Sequence, residues 1–309
     1  MSYGPYYGER QSGLPARVEE EISEGAWCGI IAAINKRVGD ASFAYSYPFV
    51  CSEKGLPYGC DPYQLSVALK GVVPALTWPL KPDPCPSTLE ILSIVEFCHS
   101  EVAAAYEVDE SPSVAELMEH LGRMSKPRRC HKHLDFNVEE GEEDFREEIN
   151  SIFARYGIAY RLNEDGQITR LLPEELQSSL QKAEFHTGDA ELDSLLEDAR
   201  RMFLNPNPET RRESLRKLWY AWERLKTLEP GKDKKQSVAA LLAKAGSEPK
   251  FIAQLDKEGI ELTNIGNSFG IRHSETTQTP LERTEHVDYL FSRLFSLLHL
   301  LLKTSGRGR

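Results

Sequence analysis

The sequence predicts a mainly α fold carrying one small β-hairpin, and three observations predict it. From Asn207 to Gly231, "NPETRRESLRKLWYAWERLKTLEPG" puts Leu215, Leu218, Trp219, Trp222, Leu225 and Leu228 on one stripe at spacings of three and four. That is the period of an amphipathic helix. From about Thr284 to Lys303 a second helix is apolar around most of its circumference. The one clear strand signal is "GIAYRLNEDGQITRLLP", about residues 157–172, where two β-prone runs flank Asn163-Glu164-Asp165-Gly166. Asp-Gly supplies the positive φ that a tight hairpin turn needs.

The remaining elements follow in order. Residues 1 to about 14, rich in Gly, Tyr and Pro, are expected to wrap the surface. Helical spacing of Val18, Ile22, Trp27, Ile30, Ile31 and Ile34 predicts a helix over about Pro15 to Val38. Gly and Pro punctuate residues 39–87 as loops, with "YQLSVALKGVV" as a short helix between them. After Pro86, Ser87 or Thr88 can cap a helix continued by Leu89, Leu92, Val95 and Phe97. "SVAELMEHLGRM" reads as another short helix, followed by the basic "KPRRCHKH" and an acidic run. That run leads into a helix carrying Phe145, Ile149, Ile152 and Phe153. "PEELQSSLQKA" is a helix with Pro173 in its first turn, and Asn207 and Pro208 are N-cap and first residue of the next. Pro230-Gly231 is its expected end. The chain thus divides into a helical, loop-rich region over 1–135, a helix–hairpin–helix connector over 136–189, a helical bundle over 190–304 and a disordered tail over 305–309.

A hydrophobic fraction of 40% with 28% charged residues is that of a soluble globular chain of 309 residues. The net charge of −11 argues against a surface coated for unspecific nucleic-acid binding, although a local basic site fits within it. No secretory signal is visible. The most apolar window, Leu290 to Leu302, is too short to span a bilayer and contains Arg293 and His299. A cytoplasmic location away from membranes, with the six cysteines reduced, is the expectation. No Walker loop, dinucleotide fingerprint, H-E-x-x-H or G-x-S-x-G occurs, which lowers the prior for ATPases, dehydrogenases, zincins and serine hydrolases. No cofactor is expected.

Two constellations carry chemistry. The first is "GIRHSE", with Arg272 beside His273. Metal-free RNA cleavage needs a base for the 2′-hydroxyl proton and a fixed cation for the pentacovalent phosphate. A histidine titrating near neutrality and an always-charged planar arginine supply these. Leu262, Ile265 and Phe269 turn the preceding helix face inward, so the pair would emerge beside the bundle core. Gly266 and Gly270, four apart, would let another helix approach. Supporting candidates are Glu275, Arg283, His286, Asp288 and His299, the last two on the polar stripe of the final helix with Ser292, Ser296 and Lys303. The structural alternative is that Arg272 caps a helix end or pairs with Glu275, while His273 meets a loop carbonyl. The second constellation joins Cys130 and His133 with Cys51 and Cys60 as a zinc set. No C-x-x-C supports it, and small core cysteines are the alternative. The basic "KPRR" and "GKDKK" stretches could touch phosphates, but neighbouring acidic runs make solvated charge segments the simpler reading.

The ordered set "INSIF", "GIAYRLNEDGQITRL", "NPETRRESLRKLWYAWERLK", "GIRH" and a last apolar helix resembles the AbiJ-like abortive-infection proteins of bacteria. It covers roughly residues 140 to 304. The resemblance implies a C-terminal helical bundle of the HEPN type, often a homodimer through that bundle. It also implies bacterial antiphage defence, with two readings of the bundle: a metal-independent ribonuclease acting on RNA, with Arg272 and His273 as catalytic pair, or a non-catalytic module binding a regulatory protein or nucleic-acid partner. The usual HEPN ribonuclease pattern has four to six residues between arginine and histidine, whereas Arg272 and His273 are adjacent. A zinc-binding adaptor built on the first half is a third reading.

Overall fold

The computed structural model describes residues 7–108, 132–271 and 279–308. The helix expected over 113–124, the "KPRR" patch, Cys130, Arg272, His273 and Glu275 all lie outside these residues. The described part is mainly α, with eleven helices and three two-stranded sheets among the described residues. Two compact units divide between Thr169 and Arg170.

In the first unit, α1 (Tyr7–Ser12) precedes α2 (Glu24–Gly39). The helix predicted from Pro15 starts nine residues later because the Ser23 side chain caps it, accepting from the Ala26 amide. Glu19 instead bridges Ile158 in parallel, and Val18 is left exposed. Strands β1 (Pro48–Val50) and β2 (Pro57–Cys60) pair where loops were expected. Then come α3 (Pro62–Val72) and α4 (Thr88–Glu101), the latter closed by a capping box in which Ser87 and Glu90 satisfy each other's amides. Strands β3 (Ala104–Glu107) and β4 (Leu134–Asn137) pair antiparallel, Ala104 opposite Asn137. Helix α5 (Val138–Arg155) buries Phe145, Ile149, Ile152 and Phe153 as its spacing predicts. The hairpin β5 (Tyr160–Leu162) and β6 (Ile168–Arg170) turns at Gly166, φ 77°.

One core of this unit joins Trp27, Ile30 and Ile34 of α2, Ile94 and Val95 of α4, and Phe145 and Phe153 of α5 with Tyr160 and Leu162 of the hairpin. The region expected as a connector over 136–189 is therefore divided: α5 and the hairpin belong to this core. Asn150 fastens the two, donating to the Leu162 carbonyl and accepting from its amide.

The second unit contains α6 (Glu174–Lys182), α7 (Ala190–Phe203), α8 (Pro208–Leu225), α9 (Lys234–Ala243), α10 (Pro249–Ser268) and α11 (Thr284–Thr304). Pro173 is the N-cap of α6 rather than a residue of its first turn. Asn207 caps α8 and Pro208 opens it, as the sequence indicates. The helix ends at Leu225, before Pro230-Gly231, with Lys226 as its C-cap. Residues 305–308 are not a free tail: Arg307 donates to the Thr187 carbonyl and pairs with the buried Glu229 carboxylate, and Gly308 bridges Phe185.

Helix α10 crosses the tryptophans of α8 through two glycines seven apart, Gly259 and Gly266, rather than through Gly266 and Gly270. A Cβ on Gly266 would stand 2.0 Å from the Trp219 indole nitrogen, and one on Gly259 3.1 Å from Trp222. Gly270 does a different job, reversing the chain at φ 62°. Gly266→Ala is expected to destabilise the protein by about 2 kcal/mol despite the better helix propensity of alanine, since the fully buried Trp219 has nowhere to move. Urea unfolding of the full chain measures this, and a neutral result would contradict the close packing.

Candidate functional site

The segment that carries Arg272 and His273 leaves the described structure at Ile271 and rejoins it at Thr279. What surrounds those two points is well defined. Helix α10 stops at Ser268, Gly270 turns the backbone, and Ile271 is buried in the core of the second unit. On the return side Leu281 packs against the same core, and Arg283 precedes α11 without a side-chain cap.

Two arginines one helical turn apart on α8 hold both sides. Arg216 Nε donates to the Ile271 carbonyl at 3.2 Å. Arg212 Nε donates to the Leu281 carbonyl at 3.1 Å, and its Nη2 donates to the Glu282 carbonyl at 2.8 Å. Each guanidinium also pairs with a glutamate one turn earlier, Arg212 with Glu209 and Arg216 with Glu213. A cavity of about 540 Å³ lies at this place, lined by Glu209, Arg212, Leu215, Arg216, Phe269, Gly270, Ile271, Pro280, Leu281, Glu282 and Val287. The rim sets Arg212 and Arg216 beside Glu209 and Glu282 over an apolar floor, and can receive a planar group, with the N–H groups the arginines have left as donors.

The supporting candidates do not gather in one cleft. Arg283 and His286 are exposed at the start of α11, and Arg283 reaches Glu285 at 3.6 Å. Asp288 turns toward two buried arginines: Arg170 donates to both of its oxygens at 2.5 and 3.2 Å, and Arg211 approaches to 3.6 Å. Asp288 is therefore not a solvated stripe residue, as a polar row on one helix would suggest. His299 stands eleven residues further on, about 16 Å along the axis, edge-on to Phe295. The shared row of Asp288 and His299 thus serves two different places. Helix α11 is tied to α10 by Arg293, which pairs through two nitrogens with Glu258 and holds that carboxyl below the usual range.

Arg212 and Arg216 escaped the sequence reading because their partners are main-chain carbonyls 55 to 70 positions away. Arg211 did leave a signal. It sits four and seven residues before Leu215 and Leu218, on the stripe that faces the core, and it is 2% exposed.

Of the zinc candidates, Cys51, Cys60 and His133 are buried, and Cys130 lies outside the described residues. Burial and the neighbouring Asp61 carboxylate push the Cys60 thiol up to about 11. No group of three or more His, Cys, Asp or Glu side chains placed to hold a metal occurs among the described residues. Nor is any described helix long and apolar enough to cross a membrane.

Comparison with known proteins adds one finding. Neither the curated proteins nor the solved structures return a match. The family model for AbiJ N-terminal domain 4 matches residues 5–186. It overlaps the stretch on which the sequence resemblance rests only from 140 to 186, and it covers the N-terminal half, where sequence reading alone found no likeness. The match takes in more than half of the 309 residues, so the chain belongs to the AbiJ family, by an N-terminal domain of its fourth type, among the abortive-infection-type defence proteins.

Proposed function

We propose that this AbiJ-family chain cleaves RNA without a metal, through a HEPN-like C-terminal bundle in which Arg272 and His273 are the catalytic pair. The observation that carries the reading is the stapling of both sides of that segment by Arg212 and Arg216, at the rim of the cavity. In this reading the cavity receives the nucleotide, and the α8 cations draw the phosphate backbone toward it through an otherwise acidic field. His273 removes the 2′-hydroxyl proton as the 2′-oxygen attacks phosphorus, and Arg272 holds the equatorial oxygens as charge develops. The 5′-oxygen leaves and takes a proton. As in other HEPN-like bundles, two copies would pair and bring two such segments together.

A second reading rests on a separate observation. Arg212 and Arg216 are each paired with a glutamate, which leaves the rim close to neutral and suits a non-catalytic module that docks a protein. One experiment separates the two. Expression of the wild-type chain is expected to arrest growth, and the purified protein is expected to cut RNA in EDTA. Arg272→Ala with His273→Ala should lower cleavage by roughly a thousandfold or more and relieve the arrest. Intact RNA, or a double variant as active as wild type, removes the ribonuclease reading and leaves the docking module.

A further inference from the structure

The last turn of α4 carries a histidine that the proposed ribonuclease chemistry does not use. His99 is 4% exposed, and its Nε2 meets no hydrogen-bond partner among the described residues. The turn between β5 and β6 lies directly on the ring: a Cβ on Gly166 would stand 2.9 Å from the His99 Nδ1 and 3.4 Å from its Cε1. Both flanks of that turn are fastened within the first unit. The Leu162 amide donates to the Asn150 side chain at 2.9 Å, and the Ile168 amide donates to Glu96 Oε1 of α4 at 2.6 Å. Between these fasteners the turn closes on itself. The Asn163 amide donates to the Gln167 carbonyl at 2.9 Å, and the Gly166 amide to the Asn163 carbonyl at 3.1 Å. Arg146 of α5 approaches Glu164 to 3.8 Å, a weak contact because the Glu164 carboxylate stands in solvent.

We propose that His99 is a proton-operated latch for this turn: the neutral ring lets residues 163–167 close over it, and the protonated ring drives them open. A neutral imidazole carries one N–H donor, whereas an imidazolium carries two and a full charge. At Nε2 the closed turn offers the charged ring no acceptor, so keeping it buried leaves an ionised donor stripped of water. Gly166 is what makes the closed form possible, since a side chain at φ 77° would strike the ring. The charged groups at this place come from α4 itself (Glu96), from α5 (Glu142 and Arg146) and from the turn (Glu164 and Asp165). Burial holds the imidazole below its usual range; the Glu142 carboxylate opposes this, Arg146 adds to it, and Asp165 opposes it. Below the ordinary histidine value of about 6.5, the open form therefore binds more protons than the closed one, and acid favours opening. Glu96 works with the opposite sign. Its carboxyl is raised chiefly by burial, so proton uptake there favours the closed form.

The test is amide hydrogen exchange of the full chain at about pH 7.5 and about pH 5.5, read by mass spectrometry and corrected for the chemical pH dependence of exchange. Peptides over residues 158–170 are expected to exchange up to about tenfold faster at the lower pH. That is the most that one proton taken up on opening can give one pH unit below the ordinary histidine value. Peptides from the buried middle of α5, Phe145 to Phe153, should not change. His99→Gln keeps a polar side chain that takes up no proton, and it should hold the slow rate at both pH values. Gly166→Ala should exchange fast at both, because its methyl group keeps the turn off the ring, and it carries the comparison if His99→Gln does not fold. Corrected exchange of the hairpin that ignores pH overturns the proposal. So does a pH dependence that survives in either variant, or a rise that spreads equally over α5.

Discussion

Gly141→Ala is expected to destabilise the protein by about 3 kcal/mol or more, and to prevent folding of the first unit at physiological temperature if its margin is ordinary. Gly141 lies in the first turn of α5, where an added Cβ would stand 2.4 Å from the Ala103 Cα, the Ala103 carbonyl carbon and the Ala104 nitrogen. These are main-chain atoms, so no side-chain rotation relieves the clash. Neither partner is free to withdraw. Ala103 donates its amide to the Ser42 carbonyl, and Ala104 is in register with Asn137. Asn137 in turn caps α5, accepting from the Glu140 amide at 3.2 Å. Strand, cap and helix form one closed circuit, and a methyl group forces all three apart. Gly71→Ala in α3 is the control. Nothing lies within 4 Å of its Cβ position, and its helical setting predicts a gain of up to about 1 kcal/mol. Urea unfolding of the two variants beside wild type checks both signs, and equal effects would mean that the contact at Gly141 yields.

Asp288→Ala is expected to cost about 3 kcal/mol, the loss that follows removal of one partner from a largely buried ion pair. Arg170 and Arg211 are 3% and 2% exposed, and the Asp288 carboxylate faces both. Without it, both buried guanidinium groups lose a carboxylate that they share. Arg170 is further fixed by its stacking over Phe203, 5.0 Å from the ring centroid, and Phe203 lies flat on Phe291 at 3.7 Å. The guanidinium therefore cannot swing away to water. Asp288→Asn, which keeps the acceptor but not the charge, should cost less. Glu285→Ala, at an exposed position whose carboxylate meets Arg283, should change stability by less than about 0.5 kcal/mol. Denaturant melts order the three. If Asp288→Ala melts with wild type, the shared carboxylate is not part of the frame.

The sequence made several long helices legible because they carry several turns of apolar repeat, and some of them also a chemically marked start. Asn207-Pro208 and Ser87 with Glu90 are such starts, and Asp165-Gly166 marks the hairpin for the same local reason. Strands of three or four residues without a marked turn are too short to show a period, so β1 and β2 passed as loop and β3 and β4 gave no strand signal. The late start of α2 reflects a contest that local pattern does not display, in which Glu19 pairs with Ile158 across the first unit. At the candidate site, residue chemistry alone picked out Arg272 and His273. The arginines that hold the segment were hidden in "TRRESLR", where Arg211, Arg212 and Arg216 look alike. Only tertiary packing makes the first an interior ion and the other two fasteners of remote carbonyls.

That fastening has a consequence for how the segment can diversify. Arg212 and Arg216 grip the carbonyls of Ile271, Leu281 and Glu282, and carbonyls are common to every residue type. The grip itself therefore does not read side-chain identity at the three positions it holds. The second unit in this way fixes where the chain leaves at Ile271 and returns at Leu281 by contacts that are blind to residue type.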